Sequence, residues 1–294
     1  MSPEQVQQSL PARIASARGF IIDMDGTIAL GDAASGEHKA IPGAIEFLAA
    51  LRRNGTPFRV FTNGSGKTPA AYAAGLRQAG FDLNDEEMMT PSSSAASWFV
   101  ARGIRRVRVL GNEGGAAPLR DAGIDVVGPS AKASGVEAVY TGWFREFGFP
   151  DLEAACDSVW DGAILTTASH VRFFATATGR AIGASFAINA MITAMTGARH
   201  KVLGKPSRIA FDAALASMNL PRSAASDVVV LGDDPELEMA MANRAGALAI
   251  GMTTGLMKRG ATFHAKTRPD HLLDDLSGLT AMLNTAADHP ARSA

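Results

Sequence analysis

The chain has 294 residues, 47% of them hydrophobic and 19% charged, with a formal net charge of −1. That is enough for a full core and for two lobes, and the near-zero charge leaves no electrostatic footprint for nucleic acid or an anionic membrane surface. The one cysteine, Cys156, excludes an internal disulfide and suits a reducing compartment. No stretch reaches the ~18 uninterrupted apolar residues of a membrane span, and the N-terminus has no apolar core of signal-peptide length. The expectation is a soluble, cytoplasmic protein.

In chain order, "GFIID" at 19–23 reads as a buried strand and "PGAIEFLAALRRNG" at 42–55 as a helix, with Pro42 near its start and Gly55 past its end. "PFRVFT" at 57–62 is a second strand, followed by a helix at 68–80 capped by Thr68 with Pro69 in its first turn. Between about 90 and 200 the pattern restarts. Strands are expected at "RRVRVLGN", "IDVV", "EAVYTGW", "GAILTTAS" and "RFFATAT", and helices around "GAAPLRDAG" and 150–160. "PSSS" at 91–94 and "TGARHK" at 196–201 read as the entry and exit of this insertion. The first pattern then resumes with a helix at 205–220, the strand "DVVVLGD" at 227–233, a helix at 235–246 and the strand "ALAIG" at 247–251. Apolar strands separated by single helices imply a parallel sheet covered on both faces. The fold class is therefore α/β: a Rossmann-like, doubly wound parallel core formed by residues 1–90 and 200–294, with a smaller α/β domain, 91–199, inserted as a cap. The last residues, "ADHPARSA", read as a frayed tail.

"FTNGSGKT" at 61–68 ends like a nucleotide-binding P-loop, but the first glycine of that motif would have to stand at Phe61. The P-loop reading fails there. The chemistry gathers instead at strand ends. Asp23 and Asp25, two apart in "IIDMDGT", point to one side of an extended backbone, with Met24 opposite. Carboxylates ending an apolar strand are costly to desolvate without a cation or a proton. A second apolar strand runs into Asp233 and Asp234. In a doubly wound sheet these strand ends share one ligand-binding edge, and hard oxygen donors of this kind suit Mg²⁺. Thr62 would bring a hydroxyl and backbone amides to the same edge, and Lys205 a fixed positive charge beside a helix start. This describes a magnesium-assisted phosphate site.

With "DMDGT" (23–27), "FTNGSGKT" (61–68), "GKPS" (204–207) and "GDDPELE" (232–238) in this order, and "IPGAIEFL" at 41–48, the sequence resembles the haloacid dehalogenase-like superfamily, in its NagD-like, 4-nitrophenylphosphatase-like branch. The resemblance covers nearly the whole chain, though only loosely over the cap. It implies a Mg²⁺-dependent phosphomonoester hydrolase acting on a small phosphorylated metabolite through an aspartyl-phosphate. Asp23 would be the nucleophile, and Asp25 the general acid and then base. Mg²⁺ would be held by Asp23, the Asp25 carbonyl and Asp233. Thr62, Asn63 and Lys205 would bind the phosphoryl group, and Lys67 and Thr68 would merely begin the next helix.

Three departures stand out. Glu238 occupies the position where relatives carry a second aspartate; it and Asp234 are candidates for an outer-shell role at the metal. The loop at 31–39 is longer than the pattern expects. In the cap, "TTASH" replaces an Asn-Pro-Asp turn, making Ser169 and His170 the candidates for substrate specificity. His38, His200, His264, His271 and His289 show no metal spacing, and Cys156 and the methionine pairs read as packing residues. A homodimer through the cap is compatible with the resemblance. The alternatives are a non-catalytic phospholigand-binding protein and a carbon-halogen hydrolase; the aspartate at 25 argues against the latter, which needs no leaving-group acid.

Overall fold

A computed structural model describes residues 9–31, 38–176 and 179–284. The strands are β1 (Gly19–Ile22), β2 (Ala29–Gly31), β3 (His38–Ala40), β4 (Phe58–Phe61), β5 (Met88–Met89), β6 (Arg106–Leu110), β7 (Asp125–Val127) and β8 (Ala138–Thr141). They continue as β9 (Ile164–Thr167), β10 (Phe173–Thr176), β11 (Gly179–Ile182), β12 (Lys201–Val202), β13 (Val228–Gly232), β14 (Leu248–Met252) and β15 (His271–Leu273). The α-helices are α1 (Leu10–Ala15), α2 (Ala44–Arg53), α3 (Pro69–Gln78), α4 (Pro91–Val100) and α5 (Glu113–Asp121). Then come α6 (Phe149–Trp160), α7 (Ala184–Thr196), α8 (Arg208–Ser217), α9 (Ala240–Ala245) and α10 (Ser277–Asn284). No helix among the described residues is long and apolar enough to cross a membrane.

Six strands form one parallel sheet in the order β15-β14-β13-β1-β4-β5. β1 is buried along its whole length, and its side chains alternate between two cores, as the pleat requires. Phe20 and Ile22 face Phe47, Leu51 and Leu279, while Ile21 faces Phe211 and Met218. α2 serves the first core because Ala44, Phe47, Leu48 and Leu51 recur at helical spacing and are all buried, with Arg52 and Arg53 at its basic end. Thr68 caps α3 by accepting the Ala71 N–H at 3.2 Å, as the Thr-Pro pair predicts.

The second sheet, also parallel, runs β12-β9-β8-β6-β7. One core holds Trp98, Phe99, Val107 and Tyr140, and the other Val139, Leu165, Cys156 and Ile188. Several details differ from the sequence reading. The entry segment "PSSS" is the first turn of α4, where Thr90 and Ser93 close a capping box. Within "RFFATAT", Phe173–Thr176 pair with β11 in an antiparallel hairpin outside the parallel sheet. Lys201 and Val202 form the edge strand β12, so the exit segment completes the second sheet before re-entering the first. β5, β15, α7, α10 and the β2–β3 hairpin carry weak periodicity and are legible only in the folded chain. The extra loop at 31–39 is partly that hairpin; its residues 32–37, like the tail beyond 284 and His289, lie outside the described residues.

Candidate active site

The chain leaves β1 toward β4 and β5, and returns on the other side of β1 at β13. At such a switch point the carboxyl ends of adjacent strands open a crevice for ligands. Asp23 follows β1, its N–H donated to the Leu231 carbonyl at 2.9 Å, and Asp233 follows β13. Both are buried. Gly26 makes room for them: its φ is +78°, and a Cβ there would stand 2.5 Å from Asp233 Oδ2. That oxygen also accepts the Leu256 N–H at 2.9 Å, which fixes the carboxylate's direction.

Lys205 lies at the centre with only 1% of its surface exposed. Its Nζ donates to Asp23 Oδ1 at 2.6 Å and to the Phe61 carbonyl at 2.5 Å, and pairs with Glu238 Oε1 at 2.7 Å. Burial works against the charge, but Asp23 and Glu238 outweigh it and hold the lysine above its ordinary pKa. Asn63 pins the Lys205 backbone from both sides, accepting its N–H and donating to its carbonyl, each at 2.9 Å. Thr27 donates its hydroxyl to the other Asp23 oxygen at 3.1 Å.

One ammonium does not balance the surrounding acids. Carboxylate oxygens of Asp23, Asp233 and Glu238 lie within 4.8 Å of one another, all three residues buried. Burial, then repulsion from Asp23, pushes Asp233 up to about 7. Burial pushes Glu238 above the usual carboxylate range, with Lys205 opposing. Hard oxygen donors crowded in this way fit a divalent cation such as Mg²⁺, which would take the place of the retained proton. Asp25 stands at the mouth, open to the surface on one side. Its carboxyl is pushed up to about 6, by burial and then by Asp23, with Lys205 and Lys67 pulling it down.

The model of the haloacid dehalogenase-like hydrolases matches residues 20–125, and a second model of related hydrolases matches 202–279. The two together span more than half of the chain and contain every residue of this cluster. This chain belongs to the haloacid dehalogenase-like hydrolases. It is 28% identical over 269 residues to the sugar phosphatase AraL of Bacillus subtilis, covering 91% of this chain and 93% of that protein. It is 25% identical over 278 residues to the phospholysine phosphohistidine inorganic pyrophosphate phosphatase of Homo sapiens, covering 94% and 97%. Its structure is similar to that of a p-nitrophenyl phosphatase from Archaeoglobus fulgidus, with a TM-score of 0.77 and 25% identity over 90% of this chain and 99% of the other.

In this hydrolase Glu238 sits inside the carboxylate cluster, where the sequence suggested an outer position. Glutamate's extra methylene lets Oε1 reach Lys205 while Oε2 accepts the Asp234 N–H at 3.1 Å. Asp234 is turned to local work: its Oδ1 accepts the Glu236 N–H at 2.8 Å and caps the turn. Thr62 is buried at its strand end; its N–H is donated to the Met89 carbonyl at 3.2 Å, and its hydroxyl oxygen accepts the Gly64 N–H at 3.0 Å. The hydroxyl, not the Thr62 amide, is therefore the group left for a ligand.

Ser169 is buried, and its Oγ accepts the Val171 N–H at 3.1 Å. His170 is exposed, and its ring stacks on His200 with Nδ1 3.2 Å from Nε2 of the latter. Both follow β9, whose end is tied to the Lys205 segment by the Gly204 N–H on the Ala168 carbonyl at 3.1 Å. The glycine-rich loop has a further use: Asn112 donates to the Gly66 carbonyl at 2.8 Å, and Ser65 Oγ accepts the Trp143 N–H at 3.0 Å. A Cβ on Gly114 would stand 2.6 Å from the Lys67 nitrogen, so the two backbones meet there without side chains. Sequence reading missed Leu256, which acts through its backbone N–H on Asp233 and leaves no signal in the sequence.

Proposed function

We propose that the chain is a Mg²⁺-dependent phosphomonoester hydrolase that releases phosphate from a small phosphorylated metabolite through an aspartyl-phosphate on Asp23. The reading is carried by one observation, the buried contact of Asp23 with Lys205 beside Asp233 and Glu238 at adjoining strand ends. The Asp23 carboxylate attacks phosphorus while Lys205 and the Thr62 hydroxyl hold the non-bridging oxygens. Asp25 gives its proton to the departing alcohol oxygen. A water then loses a proton to Asp25 and attacks the aspartyl-phosphate, freeing phosphate and restoring both aspartates. A pKa of about 6 suits Asp25 to both halves, since it is neither always protonated nor always charged near neutrality. Such transfer is typically worth ~10²–10⁴-fold in rate. Asp23, Asp233 and the Asp25 carbonyl would hold Mg²⁺, with Glu238 beside them; when bound, the cation offsets the repulsion between carboxylate and phosphate.

In this proposal residues 91–199 act as a cap over a core of 1–90 and 200–294, with Ser169 and His170 facing the leaving group, and two copies pair through their caps. The test is phosphate release from 4-nitrophenyl phosphate with Mg²⁺ or a chelator, for the parent and Asp23→Asn. Magnesium-dependent turnover is expected, falling by roughly 10⁴-fold or more in the variant. Tight ester binding with no phosphate released from any member of a metabolite panel would leave a binding protein instead.

A further inference from the structure

Away from the carboxylate cluster, one contact joins two metal-ligating side chains. β9 and β12 are paired neighbours in the second sheet, with Lys201 opposite Thr166. His170 stands in the turn that follows β9, and His200 immediately precedes β12. They are 30 residues apart in sequence, so no spacing announces the pair. In the folded chain His170 Nδ1 and His200 Nε2 are 3.2 Å apart, with ring centres 5.1 Å apart and ring planes inclined by 24°. The His170 ring also meets Phe186 of α7 edge to face, with centres 5.1 Å apart at 88°, which fixes its orientation. His170 is exposed and His200 half-buried, so the pair is open to solvent on one side.

These separations are those of two ligands on one ion. Imidazole nitrogens bound at about 2.0–2.1 Å to a tetrahedral Zn²⁺ stand roughly 3.3 Å apart, and their ring centres roughly 5.2 Å apart. A head-on N–H···N bond of the observed length would set the centres roughly 5.5 Å apart, so the two rings are not in line. Neutral imidazole is the form that binds a metal. Burial, then His170, lowers the His200 pKa, which leaves that ring neutral at pH 7. Only one of the two facing nitrogens can carry a proton, and the other presents its lone pair.

We propose that His170 and His200 form a second metal site, for a borderline divalent transition ion such as Zn²⁺, with waters completing its shell. Imidazole nitrogen suits Zn²⁺ and Cu²⁺, whereas the hard oxygens of the carboxylate cluster suit Mg²⁺. The ion clamps the turn after β9 to the strand that leads into Gly204 and Lys205, beside the existing bond from the Gly204 N–H to the Ala168 carbonyl. Neither histidine's part in this depends on the phosphatase reading.

The experiment titrates Zn²⁺ into untagged, Mg²⁺-saturated protein in competition with a fluorescent zinc indicator. Zn²⁺ can also enter the carboxylate cluster, so variants assign each binding event. Asp233→Asn should keep the imidazole event. His170→Gln and His200→Gln should each weaken it by about tenfold or more, at least what loss of an outer-shell partner costs a metal site. Glutamine can still hydrogen-bond across the gap, and thermal melts confirm that each variant folds. His264→Gln, at an exposed imidazole outside the pair, should leave the event unchanged. A titration with no event beyond the one that Asp233→Asn removes overturns the site. So does an event that survives either His170→Gln or His200→Gln, or one that His264→Gln removes.

Discussion

At the carboxyl end of the six-stranded sheet, Asp23 and Glu238 share one ammonium, with Asp233 beside them. At the same end of the five-stranded sheet, the buried hydroxyls are all provided for. Thr166 donates to the Val139 carbonyl at 2.8 Å, Thr167 to Ser169 at 3.1 Å, and Thr141 to Ser185 at 3.3 Å. Both sheets are parallel and covered on both faces, so the architecture alone does not distinguish them. Satisfaction does. One edge closes its polar groups on itself; the other keeps more buried carboxylates than ammoniums, and that imbalance marks the candidate site.

Removing the central ammonium should expose the difference most strongly. Lys205→Met leaves Asp23 and Glu238 buried and facing each other, a loss of about 3–5 kcal/mol of stability at pH 7. Thr166→Val, its counterpart in the second sheet, removes one neutral hydrogen bond and should cost about 1 kcal/mol. Denaturant melts of the two variants at pH 7 and pH 5 separate the causes. The lysine variant should recover part of its loss at pH 5, where its carboxylates take up protons, while the threonine variant should not respond to pH. Equal losses at both pH values would show that Lys205 is held by packing and not by charge.

The contrast was half legible in the sequence. Runs such as "GFIID" and "DVVVLGD" announce buried strands that end in acids, and the order of the motifs fixes which strand ends can meet. Asp23, Lys205 and Asp233 follow from that. Glu238 inside the cluster does not, because whether its longer side chain turns to Lys205 or to solvent depends on Gly232, where a Cβ would stand 2.2 Å from Glu238 Cγ. The second sheet was readable as alternating elements. Its edge strand β12 and the hairpin β10–β11 were not, since two- and four-residue strands are fixed by their partners and not by their own periodicity.

A second prediction concerns protons. Asp233 has a folded pKa raised to about 7, and burial raises Glu238 as well. A carboxyl whose folded pKa exceeds its unfolded one holds its proton more tightly when folded. Its stabilising contribution is complete below the unfolded value, about 4, and is lost as pH rises through the folded value. Chelator-treated protein should therefore lose melting temperature between about pH 5 and pH 8. Added Mg²⁺ should restore it, more at pH 8 than at pH 6, and should release close to one proton per site in weakly buffered solution at pH 7. If Mg²⁺ binds without releasing protons, the acids are already ionised and the description of the cluster as proton-sharing is wrong.

The smallest effect lies where the two regions touch. Asn112 does two jobs: Oδ1 accepts the Gly114 N–H at 3.0 Å to cap α5, and Nδ2 donates to the Gly66 carbonyl at 2.8 Å. Asn112→Ala would confuse them, but Asn112→Ser keeps a capping oxygen and deletes the amide donor without adding a charge. Gly66 is only half-buried, so water can replace the lost bond and stability should fall by about 1 kcal/mol or less. Kinetics is the better measurement. Because the bond joins the phosphate loop to the second sheet, loosening it should raise KM for 4-nitrophenyl phosphate while kcat stays within about twofold, as expected when binding shared by ground state and transition state is weakened. An equal fall in kcat with KM unchanged would instead place the loop's register, and not its attachment, in control of Thr62 and Lys205.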